Sequence, residues 1–288
     1  MMKTSLDGWL SGFLGVVIFS GSLPATRVAV ADLSPLFLTS ARAVIAAALA
    51  ALLIVCLQEK RPKQSDLASL AVIAAGVVIG FPLLTALALQ TITAAHSVVF
   101  VGLLPLSTAV FGVLRGGERP KPLFWLFSGL GSAGVAGFAL ITGGVGTLSG
   151  DLMMLAAILV CGLGYAEGAK LSKRLGGWQV ISWALILAMP LMLGLALFNL
   201  PADWSIVGAR AWGGLAYVSV FSMLVGFVFW YRGLAMGGIA AVGQLQLLQP
   251  FLGLLLAGLM LHEPISKAMI VVTMGVVLCV AGARRFSR

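Results

Sequence analysis

Ten long apolar stretches, several of them without a single charge, run between Gly8 and Ala283 and are separated by short charged or Gly/Pro-rich breaks. A hydrocarbon core roughly 30 Å thick takes about 20 apolar residues per helix, and backbone groups inside lipid must be satisfied within the spanning structure. The stretches fall at 8–30, 35–57, 67–89, 94–114, 122–142, 150–169, 178–198, 212–231, 239–261 and 268–283. Composition agrees that the bilayer is the solvent: 60% of the 288 residues are hydrophobic, 9% are charged, and the mean hydropathy is +1.10. No water-soluble core uses that much apolar surface. The expected fold is therefore an all-α integral membrane protein with ten transmembrane helices.

The net charge of +9 raises nucleic acid as a partner. A nucleic-acid binder gathers its cations on one solvated face beside aromatic residues, whereas here they lie between hydrophobic runs, so no nucleic-acid partner is expected. Cys56, Cys161 and Cys279 all fall inside apolar stretches and read as small packing residues, with no disulfide frame, metal site or cofactor implied. Lys3 ahead of an apolar run and Ala29-Val30-Ala31 have the form of a cleaved leader. The run from Gly8 is long for a leader, Arg27 interrupts it, and the internal repeat described below needs it as a helix.

Orientation follows from the cations, which cytoplasmic loops retain. One side collects Lys3, Lys60, Arg61, Lys63, Arg115, Arg119, Lys121, Lys170, Lys173, Arg174, Arg232, Arg284, Arg285 and Arg288, fourteen of the 18. The other has Arg27, Arg210 and Lys267, and Arg42 lies within the second span. Both termini are thus expected in the cytoplasm, in a multi-pass protein of the bacterial inner membrane, which requires an even number of spans.

The two halves echo each other at an offset of 145 residues. Pro105 matches Pro250, Thr108 matches Gly253, Gly112 matches Ala257 and Glu118 matches Glu263. Each half so carries a small-xxx-small step after a proline, a spacing that lets helix backbones approach closely and that makes Pro105, Thr108, Gly112, Pro250, Gly253 and Ala257 the expected hinge and packing points. Two repeats follow, 1–145 and 146–288, and because five spans are odd the second must enter the membrane inverted. Inverted repeats usually build alternating-access carriers with a midplane site bordered by broken helices. Pro24, Pro82, Pro105, Pro190 and Pro250 each interrupt an apolar span.

Ser34-Pro35 followed by Arg42, the turn Gly117-Glu118-Arg119-Pro120 and its counterpart His262-Glu263-Pro264, in that order, resemble the drug/metabolite transporter superfamily, and within it the ten-helix EamA-type exporters. The resemblance covers nearly the whole chain and is nearest to bacterial aromatic amino-acid exporters. It departs at Phe19-Ser20-Gly21, where many relatives carry Trp-Gly. What it implies is export of small neutral metabolites, with aromatic and other neutral amino acids as the leading class and other metabolites or drugs as the alternative. The Glu-Pro turns also have a local reading, a carboxylate at the positive end of a helix dipole.

Intramembrane polar residues are costly and mark candidate sites. Gln246 and Gln249 share a helix face, and Ser219, Met223, Gly226 and Trp230 form one stripe of the eighth span. With Tyr165, Thr85 and His96 they are the expected substrate-binding residues of an aromatic-lined cavity. Arg42 either meets a substrate carboxylate bidentately or snorkels to tie down a helix end. Glu167 reads as an interfacial partner of Lys170. An enzyme is not expected: His262-Glu263 begins like a metalloprotease motif, but Ser266 stands where the second His ligand belongs. A channel should show a polar filter or charged ring, and none is present. The partners expected are a small-molecule substrate and the lipid bilayer, with the oligomeric state open.

Overall fold

A computed structural model of the chain describes residues 2–88, 91, 92, 97, 100–141, 147–261 and 267–287, and among these there is no β-strand. The helices are α1 (Met2–Ser20), α2 (Ser22–Ala29), α3 (Pro35–Cys56), α4 (Gln64–Ala88), α5 (Leu104–Gly116), α6 (Pro122–Ile141), α7 (Leu148–Leu175), α8 (Gly177–Phe198), α9 (Ala209–Gly237), α10 (Ile239–Gly243), α11 (Gln249–Leu261) and α12 (Lys267–Phe286). Among the described residues six helical runs are long and apolar enough to cross a membrane: Leu6–Thr26, α3, α4, α7, α8 and α9. Large apolar side chains such as Leu52, Leu114, Leu130, Leu159, Leu191 and Met274 point outward, as a lipid-facing surface requires.

Local chemistry sets the helix ends. Ser34 Oγ accepts a hydrogen bond from the Phe37 amide (3.2 Å) with Pro35 in the first turn, and Thr147 Oγ1 does the same for Gly150 (3.2 Å) at the start of α7. α5 stops at Gly117, whose φ of +69° suits glycine. Gly176 (φ +88°) turns α7 directly into α8, and Gly238 (φ +99°) turns α9 into α10.

The prolines take two kinds of position. Pro105 and Pro250 are each the second residue of an α-helical segment, so their missing N–H falls in a first turn. Pro190 lies inside α8, and Pro82 inside α4 just after its π-helical stretch. α4 contains a π-helical stretch at Ala74–Gly80 and α9 one at Val218–Val225, positions that coincide on the 145-residue offset. A short 3₁₀ turn, Gln244–Leu248, joins α10 to α11.

α1 packs on the second half of α9, α3 on α8, α4 on α7, α5 on α7 and α10, and α6 on α12, while α2 covers the first turns of α9. The windows at 35–57, 67–89, 122–142, 178–198 and 268–283 each fall on one helix, those at 8–30 and 239–261 are divided, the described helix of the window at 94–114 is Leu104–Gly116, and α7 and α9 run past theirs. The extra turns of α7 carry Lys170, Lys173 and Arg174 and extend the helix beyond its apolar stretch.

The helix ends sort the charges. One face, here called the basic face, brings the start of α4 and the ends of α5, α7 and α12 together: Asp66 pairs with Arg174, Arg115 with Glu167, and the Lys121 amide donates to the Phe286 carbonyl (3.0 Å). The opposite face holds Asp32, which accepts from the Gly208 amide (2.9 Å), and a stacked Trp204–Trp212 pair at 5.9 Å with Phe37 edge-on at 5.7 Å.

Candidate functional site

Near mid-span, three helices contribute to one aromatic cluster. Phe19 comes from α1, Tyr165 from α7, and Phe227, Trp230 and Tyr231 from α9. Phe227 sits 4.9 Å from Phe19 and 6.1 Å from Tyr165, and Trp230 lies 6.2 Å from Phe19 and 5.6 Å from Tyr165, in tilted or edge-on arrangements that suit the ring quadrupoles. Close helix approach makes the cluster compact. A Cβ on Gly15 would meet the Trp230 backbone at 3.1 Å, and one on Gly226 would meet the Phe19 ring at 2.7 Å.

The cluster is not purely apolar. Gln246, on the 3₁₀ turn, comes up to the Tyr165 hydroxyl, yet it is 2% exposed and neither of its amide atoms completes a hydrogen bond. Trp230 is fully buried with its Nε1 equally unpartnered. Leaving a buried polar atom unsatisfied costs about 1–3 kcal/mol, and here a donor and an amide are left open among tilted and edge-on rings.

The structure separates the expected binding residues. It brings Tyr165, Trp230 and Gln246 together and buries Met223 completely. Ser219 is also fully buried, but its hydroxyl donates to the Leu215 carbonyl one turn back (2.6 Å). Gln249 and Thr85 are partly buried, Thr85 with an unpartnered Oγ1. His96 lies outside the described residues, and nothing is described of the Ala257 side chain. The expected hinge residues split similarly. Thr108 is fully buried, donates to the Leu104 carbonyl (2.9 Å), and lies against Gly243, whose Cβ would meet Thr108 at 3.2 Å. A Cβ on Gly112 would meet Ile239 at 3.1 Å. Hence Pro105, Thr108 and Gly112 head a helix packed on α10, whereas Gly253, just after Pro250, faces the Ser20 carbonyl of α1.

Sequence reasoning missed Phe19, Phe227 and Tyr231, though the aromatic run Phe227-Val228-Phe229-Trp230-Tyr231 was a visible signal. It also missed the seam of Gly8, Gly12, Gly233 and Gly237: a Cβ on Gly233 would meet the Gly12 backbone at 2.6 Å, and one on Gly8 the Gly237 amide at 2.5 Å. Glu167, expected beside Lys170, instead pairs with Arg115 and accepts from Ser69 Oγ (3.0 Å), with 1% of its surface exposed. Glu118 does sit at a helix N-terminus, but across the molecule: its two oxygens accept from the Ile239 and Ala240 amides at 2.6 and 2.7 Å. A cavity of about 320 Å³ opens beside it at the basic face, lined by Arg119, Lys173, Met236, Gly238 and Ala241 among others, and none of the cluster residues borders it.

Apolar helices of membrane-crossing length, with charges gathered at their ends around a buried aromatic cluster, define a multi-pass membrane protein. The EamA-like transporter family matches residues 6–140 and again 148–285. The chain therefore belongs to that family and is a membrane transporter rather than an enzyme. It is 65% identical over 287 residues to the uncharacterized transporter YdeK of Bacillus subtilis, covering 100% of both chains. The uncharacterized transporter sll0355 of Synechocystis is 27% identical over 119 residues, 41% of this chain and 36% of its own. A solved crystal structure of a protein 20% identical in sequence aligns over 96% of this chain and 97% of its own with a TM-score of 0.82, a likeness of fold.

Proposed function

We propose that the protein is a ten-helix alternating-access carrier that exports aromatic and other neutral amino acids. Its two five-helix repeats, 1–145 and 146–288, are inverted with respect to each other in the inner membrane, with both termini cytoplasmic. The two family matches, the coincident π stretches of α4 and α9, and the exchange of packing partners between halves support the inverted repeat: α1 lies on α9 as α7 lies on α4. The gathering of cations on one face supports the orientation.

The observation that carries the substrate class is the aromatic cluster with its open Trp230 Nε1 and Gln246 amide. The aromatic side chain of the substrate packs against Phe19, Tyr165 and Phe227, and the polar atoms of the substrate complete Gln246. Rocking of the halves about closely packed helix pairs, α5 on α10 among them, then exposes the cluster to each side in turn.

Gln246→Leu separates this role from a structural one. Removing two unpartnered buried polar atoms is expected to raise the melting temperature of the ligand-free protein by a few degrees, on the order of 1 kcal/mol. It is also expected to abolish the stabilisation that phenylalanine or tryptophan gives the wild type and counterflow of either in proteoliposomes. Counterflow of neither amino acid by the wild type, or their undiminished counterflow by Gln246→Leu, refutes the reading.

A further inference from the structure

Within the membrane-crossing helices the carboxylates of Asp66 and Glu167 and the Nε of Arg42 are buried, and the two carboxylates are paired. Asp66 and Glu167 each hold an arginine. Arg42 does not. It lies about 5 Å from the middle of α3 on a rise of 1.5 Å per residue, and Leu38, Thr39 and Ala46, one turn away on either side, are buried. Its Nε is buried without any hydrogen-bond partner. Arg42 as a whole is partly buried, and among the described residues no hydrogen bond ties it to a helix end.

No carboxylate of the protein comes to it among the described residues. Asp66, Glu118 and Glu167 are engaged at the basic face, while Asp32 accepts from Gly208 and Asp203 from Ser205 on the opposite side. A guanidinium within a bilayer is costly unless it is paired or lines a path for a charged species. The segment Phe81–Ala88 of α4, which packs on α3, adds a second open group, the buried and unpartnered Thr85 Oγ1.

We infer that Arg42, assisted by Thr85, is the carboxylate-recognition point of the transport path. This deepens the reading of the aromatic cluster and rests on it for the aromatic part of the ligand. Tyr165 and Phe227 lie about 5–6 Å from the middles of α7 and α9 towards the basic face, and Arg42 about 5 Å from the middle of α3 towards the other. The cluster offers no free cation, so it holds the ring, and the guanidinium fork holds the carboxylate with two parallel N–H···O bonds. An amine of the same shape leaves Arg42 unpaired and brings a second positive charge into the membrane. The carrier so selects amino acids and aryl carboxylates against amines and uncharged aromatics.

The test uses the full-length protein in proteoliposomes loaded with phenylalanine, with 3-phenylpropionate and phenethylamine as competitors. The first competitor lacks the ammonium and the second the carboxylate. The wild type is expected to be inhibited by phenylpropionate and about ten- to a hundredfold less by phenethylamine, the range expected for a hydrogen-bonded charge pair. Arg42→Gln is expected to lose that preference and Arg42→Lys to keep part of it, with melting curves recorded for both. Equal inhibition by the two competitors in the wild type overturns the inference, whatever the variants do, and so does an Arg42→Gln protein that keeps the preference. Should phenylalanine not be carried, leucine and isoamylamine replace it. Arg42-dependent carriage of leucine alone upholds the inference and removes the aromatic reading, while equal carriage, or none, of this pair overturns both.

Discussion

The contact most open to a quantitative test is the one Glu118 makes from the first half of the chain to the second. Its carboxylate closes on the first two amides of α10, at 2.6 and 2.7 Å, and so meets donors that no helical carbonyl reaches, at the positive end of the helix. Glu118→Gln keeps one acceptor and turns an amide NH₂ toward the other N–H. A hydrogen bond to a charged group contributes about 1.5–3 kcal/mol, and Glu118 is partly exposed, so the loss is expected near 2 kcal/mol. At 1.4 kcal/mol per decade this shifts the ratio of joined to parted halves at the basic face roughly thirtyfold. Ala241, 4% exposed and bordering the neighbouring cavity, reports the parting. In a background with Cys56, Cys161 and Cys279 replaced, Ala241→Cys should react with a membrane-impermeant maleimide roughly tenfold or more faster once Glu118→Gln is added. Glu118→Asp, which keeps the charge, should lie between. An unchanged labelling rate together with an unchanged melting temperature would refute the claim that this carboxylate holds the halves together.

Glycines give a paired prediction. Gly233→Ala forces a methyl to 2.6 Å from the Gly12 backbone and is expected to cost about 1–3 kcal/mol by overpacking, whereas Gly129→Ala, with nothing within 4 Å, should stabilise by about 0.5–1 kcal/mol; melting curves that rank the two the other way reject the seam. For the buried Glu167, Arg115→Met removes a partner whose side chain is 51% exposed, so the expected loss is about 1–3 kcal/mol rather than that of a fully buried pair. Adding Glu167→Gln should recover at least half of it, because a neutral amide still accepts from Ser69; strictly additive losses in the double-mutant cycle would show the pair to be uncoupled.

Helix placement was legible because the apolar windows are long and the breaks between them charged, and these are local properties. The partners of the charges were not. Glu167 has Lys170 three residues away, and helix geometry alone makes that the natural partner. The carboxylate instead pairs with Arg115, 52 residues distant in sequence, because α5 packs along α7. Glu118 was read correctly as a helix-capping charge, but its helix begins 121 residues later. The stripe Ser219, Met223, Gly226 and Trp230 caught Trp230 of the aromatic cluster but not its other rings, for a related reason. It selects one face of one helix, while the aromatic cluster draws on three, and the π stretch at Val218–Val225 alters the period on which the stripe was drawn.

The glycine seam carries the same small-xxx-small spacing that singled out Thr108 and Gly112, so its signal was present in the sequence. A sequence also states that an intramembrane polar group is costly, but not how that cost is met. Ser219 and Thr108 return their hydroxyls to carbonyls of their own helices, and their polarity then says nothing about a ligand. Gln246, Trp230 and Arg42 have buried polar atoms with no partner in the protein. Identical expectations from composition thus part only when each hydrogen bond is traced, and the atoms left open are those that the proposed substrate completes with an aromatic face, polar atoms for an amide, and a negative charge.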